Sequence, residues 1–216
     1  MTVWSSAGRL IRWCIMKVIG LTGGIGSGKS TVSQFLAELG AVILDMDKVG
    51  HEVLKPGTEA WQEVVEAFGS QLLTPRGEID RKRLGEIVFG NPESLSQLNQ
   101  ITHPRIADVV KARLEEYQRQ GVKVVVLEAP LLLEVGWTSL VDEVWVTVAP
   151  ESTVLKRLKE RVGLSKAESL ARIRSQLSSE ERTRRADVII NTDCELNELK
   201  ARVRELWQRL QDKSGE

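Results

Sequence analysis

The stretch 20–31, GLTGGIGSGKST, decides how this chain is read. It stands between the apolar run KVIGL and a segment, Ser30 to Leu39, whose apolar residues recur at helical spacing. Within it, Gly23-x-x-x-x-Gly28-Lys29-Ser30 satisfies the full P-loop pattern, and a strand before with a helix after is the context that such a loop requires. The glycines let backbone N–H groups turn inward around phosphate oxygens, where a Cβ would obstruct the approach. The helix beyond adds its positive end. On this reading Gly23, Gly24, Ile25, Gly26, Ser27, Gly28, Lys29, Ser30 and Thr31 cradle a nucleoside triphosphate. Lys29 reaches the β- and γ-phosphates and the Ser30 hydroxyl ligates Mg²⁺.

Working outward, Gly40 ends the helix and AVILD (41–45) reads as a second strand, completing a β-loop-α-β unit. VKVVVLEAP (122–130) and DEVWVTVAP (142–150) read as two more buried strands, each halted by proline, and ADVII (186–190) as a fifth. Short, continuously apolar strands separated by helical patterns predict an α/β fold with a five-stranded parallel sheet flanked by helices. A mostly helical insertion fills 48–120, broken at Pro56-Gly57, at 74–77 and at Asn91-Pro92. An arginine-rich helical segment occupies 151–185, and the tail, with Leu196, Leu199, Val203, Leu206 and Leu210 at helical spacing, reads as a packing helix.

Composition narrows the partners. With 216 residues, 42% hydrophobic and 28% charged, the chain can bury one real core. Lys plus Arg number 30 and Asp plus Glu 30, so no overall field draws it to nucleic acid or to a membrane surface. The two cysteines, Cys14 and Cys194, form no C-x-x-C pair, which fits a reducing, cytoplasmic setting. The longest apolar runs fall far short of the ~20 residues of a membrane span. Residues 1–15 carry Arg9 and Arg12 without an acid or an uninterrupted apolar core, and read as a disordered leader or a mis-assigned start.

The P-loop alone does not say what receives the phosphate. No N-K-x-D string is present to read guanine, and the D-x-x-G match at 47–50 lies too close to the P-loop for a switch segment. Glu128 ends an apolar strand as a motor ATPase would require, yet Ala-Pro-Leu-Leu-Leu follows it. Asp45 and Asp47, at the carboxyl end of the second strand, are better placed for chemistry. Side chains at i and i+2 of a strand share a face, so both carboxylates are expected above the strand ends, beside the P-loop strand. A carboxylate there can take the proton of an attacking hydroxyl. The alternative is that Asp47 caps a helix starting at Lys48.

GLTGGIGSGKST, LDMDKVGHEVLKPG, FGSQLLTPRGEIDRKRL, LNQITHPRI, EAPLLLE and QLSSEERTRRADVII together resemble the dephospho-CoA kinase family, from about Met16 to Ile190. The resemblance implies ATP and Mg²⁺, a P-loop kinase core, and phosphorylation of the ribose 3′-hydroxyl of dephospho-CoA, the last step of coenzyme A biosynthesis. Another P-loop small-molecule kinase is the alternative. It also implies one domain over 16–211, with core segments 16–47, 121–150 and 186–211, a helical substrate insertion at 48–120 and a lid at 151–185. Asp47 falls at the family's base position, with Asp45, Arg81, His103 and Arg105 as acceptor contacts. Arg157 and Arg161, one helical turn apart, would close over the transferring group. His103, before a proline, has the alternative of a cap or a core residue near a helix start, and His51 reads as surface. Asn191-Thr192-Asp193-Cys194 departs from the family's Asn-Gly pattern near the adenine. A monomer or small homo-oligomer without nucleic-acid or membrane partners is expected.

Overall fold

β1 (Lys17–Gly23) runs through the middle of a five-stranded parallel sheet of order β2-β3-β1-β4-β5, in a computed structural model that describes residues 16–213. The expectation for residues 1–15, with Cys14, lies outside the described residues. The other strands are β2 (Val42–Asp45), β3 (Val124–Glu128), β4 (Glu143–Val148) and β5 (Val188–Asn191). Four of the five are nearly continuous apolar runs because both faces of the sheet are covered. Ile19, Leu21, Val124 and Val126 pack against Val32, Phe35 and Leu36 of α1 (Lys29–Glu38) and Leu199, Val203 and Trp207 of α9 (Leu196–Lys213). Their alternates Val18, Val125, Leu127 and Val146 point the other way, onto Val49, Val53, Ile106 and Val110. Each such fully buried aliphatic side chain contributes about 1.5–3 kcal/mol.

The strand order corrects one expectation. β2 pairs with β3, not with the P-loop strand, and the register sets Asp45 beside Glu128 and Glu128 beside Leu21. The acid pair is therefore one strand further from the P-loop than adjacency would put it, and Glu128 stands between.

Between β2 and β3 run α2 (Met46–Val53), α3 (Glu59–Phe68), α4 (Arg81–Phe89) and α5 (Pro92–Arg119). Val64, Phe68, Leu72, Ile79, Leu84 and Val88 form a separate apolar cluster there, which gives this segment a packed centre of its own. The breaks fall where the sequence puts them: Asn91 accepts from the N–H groups of Glu93 and Ser94, and Pro92 occupies the first turn, where its missing N–H costs nothing. His103 and Pro104, however, are in the interior of α5 rather than near its start. Pro104 removes one i→i−4 bond. Side chains on either side of it bond the preceding turn, Thr102 Oγ1 to the Leu98 carbonyl and Arg105 to the Ile101 carbonyl, each at 2.9 Å.

After β4 come α6 (Glu151–Val162), α7 (Lys166–Arg174) and α8 (Ser179–Arg184). Ser165 with Glu168, and Ser178 with Glu181, form reciprocal capping boxes that fix where α7 and α8 begin. Hydrogen bonds from Ser165 and Ser178 hold the carboxyls of Glu168 and Glu181 below the usual range.

Candidate active site

The loop from Gly23 to Gly28 leaves β1 and enters α1, whose N-cap is Gly28 itself. Gly26 at φ +71° and Gly28 at φ +86° occupy left-handed backbone that side-chain-bearing residues rarely adopt, and a Cβ on Gly28 would come within 2.9 Å of Thr192 Oγ1. Because α1 begins at Lys29, the amides of Lys29 and Ser30 lie ahead of the first helical carbonyl and are available to an anion, while those of Thr31 and Val32 donate to the Gly28 carbonyl at 3.1 and 3.3 Å. A cavity of about 350 Å³ opens over this loop, lined among others by Lys29, Ser30, Pro130, Arg157, Arg161 and Gln176.

Lys29 Nζ donates to Glu128 Oε1 at 2.6 Å. Glu128 ends β3, so sheet register places the carboxylate that holds the lysine. On its other side, Asp45 accepts from the amides of Asp47 and Lys48 at 3.0 and 3.1 Å and is the N-cap of α2. Both halves of the acid-pair expectation change. The chain turns helical at Met46, so Asp47 no longer follows strand alternation, and the cap is Asp45 rather than Asp47. Asp45 Oδ1 is thereby engaged by backbone amides and Oδ2 faces Lys48 at 3.6 Å, while Asp47 is exposed in the first turn of α2.

Asp47 lines a second cavity of about 370 Å³, bounded also by His51, Arg81, His103, Leu131 and Trp137. The two cavities share Pro130. Thr22 Oγ1 donates to the Pro130 carbonyl at 3.2 Å and the Ala129 amide to the Leu21 carbonyl at 3.0 Å, so the partition between the cavities is tied to β1. Although the Asp47 side chain reaches solvent, partial desolvation by the protein around it, then repulsion from Asp45, raises its carboxyl above the ordinary value, and Lys29 and His51 pull in the other direction.

Arg81, at the first position of α4, donates to the His51 carbonyl at 3.4 Å, and desolvation lowers its guanidinium from the ordinary value. His103 meets Trp137 edge to face, with ring centroids 5.4 Å apart, and burial lowers its pKa, which favours the neutral imidazole.

Two expected contacts go elsewhere. Arg105 pairs with Glu63 of α3 and faces a different hollow, bounded by Glu52, Thr58 and Asp108, because two residues' step from His103 turns it about 200° around α5. Arg157 lines the P-loop cavity, but its guanidinium is engaged within the protein: it donates to the Gly26 carbonyl at 3.1 Å, to Thr192 Oγ1 at 3.0 Å and to the Thr192 carbonyl at 2.7 Å. It pins the P-loop to the segment after β5. Arg161 stands exposed at the rim of the P-loop cavity.

Several lining residues escape the sequence reading. His51 follows Asp47 by four positions, one helical turn, which was a usable signal. Glu128 was visible as an acid ending a strand. Trp137, and Gln176, which accepts the Ile25 amide at 2.9 Å, reach the site only through tertiary packing.

A phosphate-binding loop with a held lysine, facing a second cleft that carries an available carboxylate, defines a P-loop phosphotransferase on a nucleotide-kinase-like α/β sheet. The sequence profile described as dephospho-CoA kinase matches residues 17–198, and the chain belongs to the dephospho-CoA kinase family. It is 48% identical over 186 residues to the dephospho-CoA kinase of Dehalococcoides mccartyi, which covers 86% of this chain and 93% of that one. Among solved structures, a Thermus thermophilus protein superposes with a TM-score of 0.77 at 32% identity, covering 90% of this chain and 98% of that one. Dephospho-CoA kinase from Campylobacter jejuni superposes with a TM-score of 0.61 at 28% identity, covering 90% and 97%.

Proposed function

We propose that, in the dephospho-CoA kinase reaction, ATP on the P-loop donates its γ-phosphoryl group to a ribose hydroxyl seated in the adjoining cleft, with Asp47 as the base. The reaction is the ATP-dependent phosphorylation of dephospho-CoA, the final step of coenzyme A biosynthesis. The observation that carries the assignment of roles is the position of Asp47: it is an exposed carboxylate lining the second cleft, which meets the P-loop cavity at Pro130.

In this scheme the amides and Lys29 hold the β- and γ-phosphates, and the Lys29 ammonium turns from Glu128 toward them as negative charge arrives. Asp47 accepts the proton of the 3′-hydroxyl, which attacks the γ-phosphorus as the bond to the β-bridging oxygen breaks and ADP leaves. A raised carboxyl pKa suits that step, since it strengthens the base. Arg81 and His103 meet the acceptor nucleotide, Trp137 and Leu131 supply its apolar wall, and Arg161 approaches the phosphates from the rim.

Among the described residues no group of three or more His, Cys, Asp or Glu side chains is arranged to hold a metal. Magnesium needs no such cage: it keeps several waters and is held by one or two protein groups together with substrate phosphates. Ser30, exposed in the P-loop cavity, fits as that group. Bound there, Mg²⁺ would neutralise charge on the β- and γ-phosphates. No helix among the described residues is long and apolar enough to cross a membrane. A cytoplasmic monomer or small homo-oligomer accompanies this reading, with no nucleic-acid or membrane partner.

The test is ADP release from Mg-ATP with dephospho-CoA, AMP, gluconate or shikimate supplied separately. ADP formation that depends on dephospho-CoA, with coenzyme A formed in equal amount, is expected. Equal ADP with every acceptor, or with none, would overturn the assignment.

A further inference from the structure

The segment 175–178, joining α7 to α8, touches both clefts at once. Gln176 Oε1 accepts the P-loop amide of Ile25 at 2.9 Å, a contact that reaches across 151 positions of sequence. One residue on, the Leu177 carbonyl accepts from Arg182 at 2.6 Å, so the connector backbone is clamped onto α8. The same guanidinium donates through its other terminal nitrogen to Glu134 Oε1 at 2.7 Å. Glu134 belongs to the turn after β3, and its neighbours Leu131, Val135 and Trp137 wall the acceptor cleft.

Arg182 is 3% exposed, and its Nε has no hydrogen-bond partner. A guanidinium withdrawn this far from water is stable only while its remaining donors stay paired. Glu134 therefore cannot move independently of α8. Beside this junction a cavity of about 110 Å³, lined by Gly24, Ile25, Thr147, Gln176 and Arg182, leaves room for the connector to shift against the P-loop. The chain thus contains a continuous polar link, P-loop amide to Gln176, connector backbone to Arg182, Arg182 to Glu134, running from the donor site to the acceptor wall.

We propose that Gln176 and the Arg182–Glu134 pair are positioning residues that couple the two clefts, so that occupation of the acceptor cleft sets the P-loop for transfer and the empty cleft leaves ATP idle. The proposal rests on the kinase reading above. None of the three residues is placed on a reacting atom. Their action is on the alignment of the loop that holds the phosphates, where small displacements are expensive in rate.

The experiment measures ADP formed per coenzyme A formed, together with ADP release from Mg-ATP alone, in wild type, Gln176→Ala, Glu134→Ala and Glu134→Gln. Loss of folded enzyme lowers transfer and hydrolysis alike, so the ratio is blind to a merely structural role. For the two alanine variants we expect kcat for transfer to fall about tenfold and idle ADP release per transfer to rise by a similar factor. Glu134→Gln, which keeps an acceptor oxygen for Arg182, recovers most of the wild-type ratio. An unchanged ratio in both alanine variants, whether their rates fall or not, overturns the coupling. If wild type itself shows no ADP release dependent on dephospho-CoA, the kinase reading fails first, and the two failures are distinct.

Discussion

Lys29 and Glu128 form an ion pair 2.6 Å long, with side chains only 15% and 16% exposed. The lysine is held at the mouth of its own loop by the last residue of the neighbouring strand, ready to exchange a carboxylate for phosphate oxygens. Removing one partner of a pair this enclosed leaves the other charge desolvated. Lys29→Met should therefore lower kcat/KM for ATP by about 10²-fold or more. Glu128→Gln, which retains a hydrogen-bond acceptor, should cost less, and steady-state kinetics at fixed dephospho-CoA will rank the two.

Asp45 and Asp47, two residues apart, should respond differently to substitution. Asp45 caps α2 through two backbone amides, so Asp45→Ala should cost about 1 kcal/mol of stability in chemical denaturation. Asp47→Ala removes no cap. Its loss should appear in turnover, with the denaturation midpoint unchanged or raised.

Acidity separates these residues further. Because burial and Asp45 raise the Asp47 carboxyl, the folded protein holds that proton more tightly than the unfolded chain does. Its stabilising contribution is complete below the unfolded carboxylate value and is lost as pH rises through the raised, folded value. At neutral pH the ionised Asp47 thus costs stability, and Asp47→Asn should melt higher than wild type there, an advantage that vanishes as pH drops below the carboxylate range. Activity runs the other way: kcat/KM should fall on acidification with a midpoint above that of an ordinary aspartate. Thermal melts and pH–rate profiles on the same buffers check both slopes.

Trp137 and His103 meet edge to face in the acceptor cleft. Trp137→Ala opens that side of the imidazole to water, so the depressed His103 pKa should move back up toward its ordinary value, as followed by NMR of the ring protons. Lost apolar wall should raise KM for dephospho-CoA about tenfold while leaving KM for ATP nearly unchanged.

The P-loop, the five parallel strands and the breaks in the helical insertion are legible in the sequence because each depends on neighbours a few positions away: apolar runs, glycine, proline and an Asn-Pro helix start. Strand order is not. Nothing local says that β3 inserts between β2 and β1, yet that insertion brings Glu128 to Lys29. The site residues divide along the same line. Lys29 is singled out by motif and Asp47 by its place at a strand end, whereas Arg105 is drawn away by Glu63, 42 positions earlier, and Arg157 by Thr192, 35 positions later. The cap falls on Asp45 rather than Asp47 because the helix begins at Met46, two residues sooner than Lys48.

The central claim, that Asp47 is the base standing between donor and acceptor, is tested most directly by single-turnover transfer from Mg-ATP to dephospho-CoA in Asp47→Asn, with ATP binding measured by calorimetry on the same preparation. The account predicts ATP affinity within about threefold of wild type and a transfer rate lower by about 10²–10⁴-fold. A transfer rate near wild type, with ATP binding intact, would contradict it.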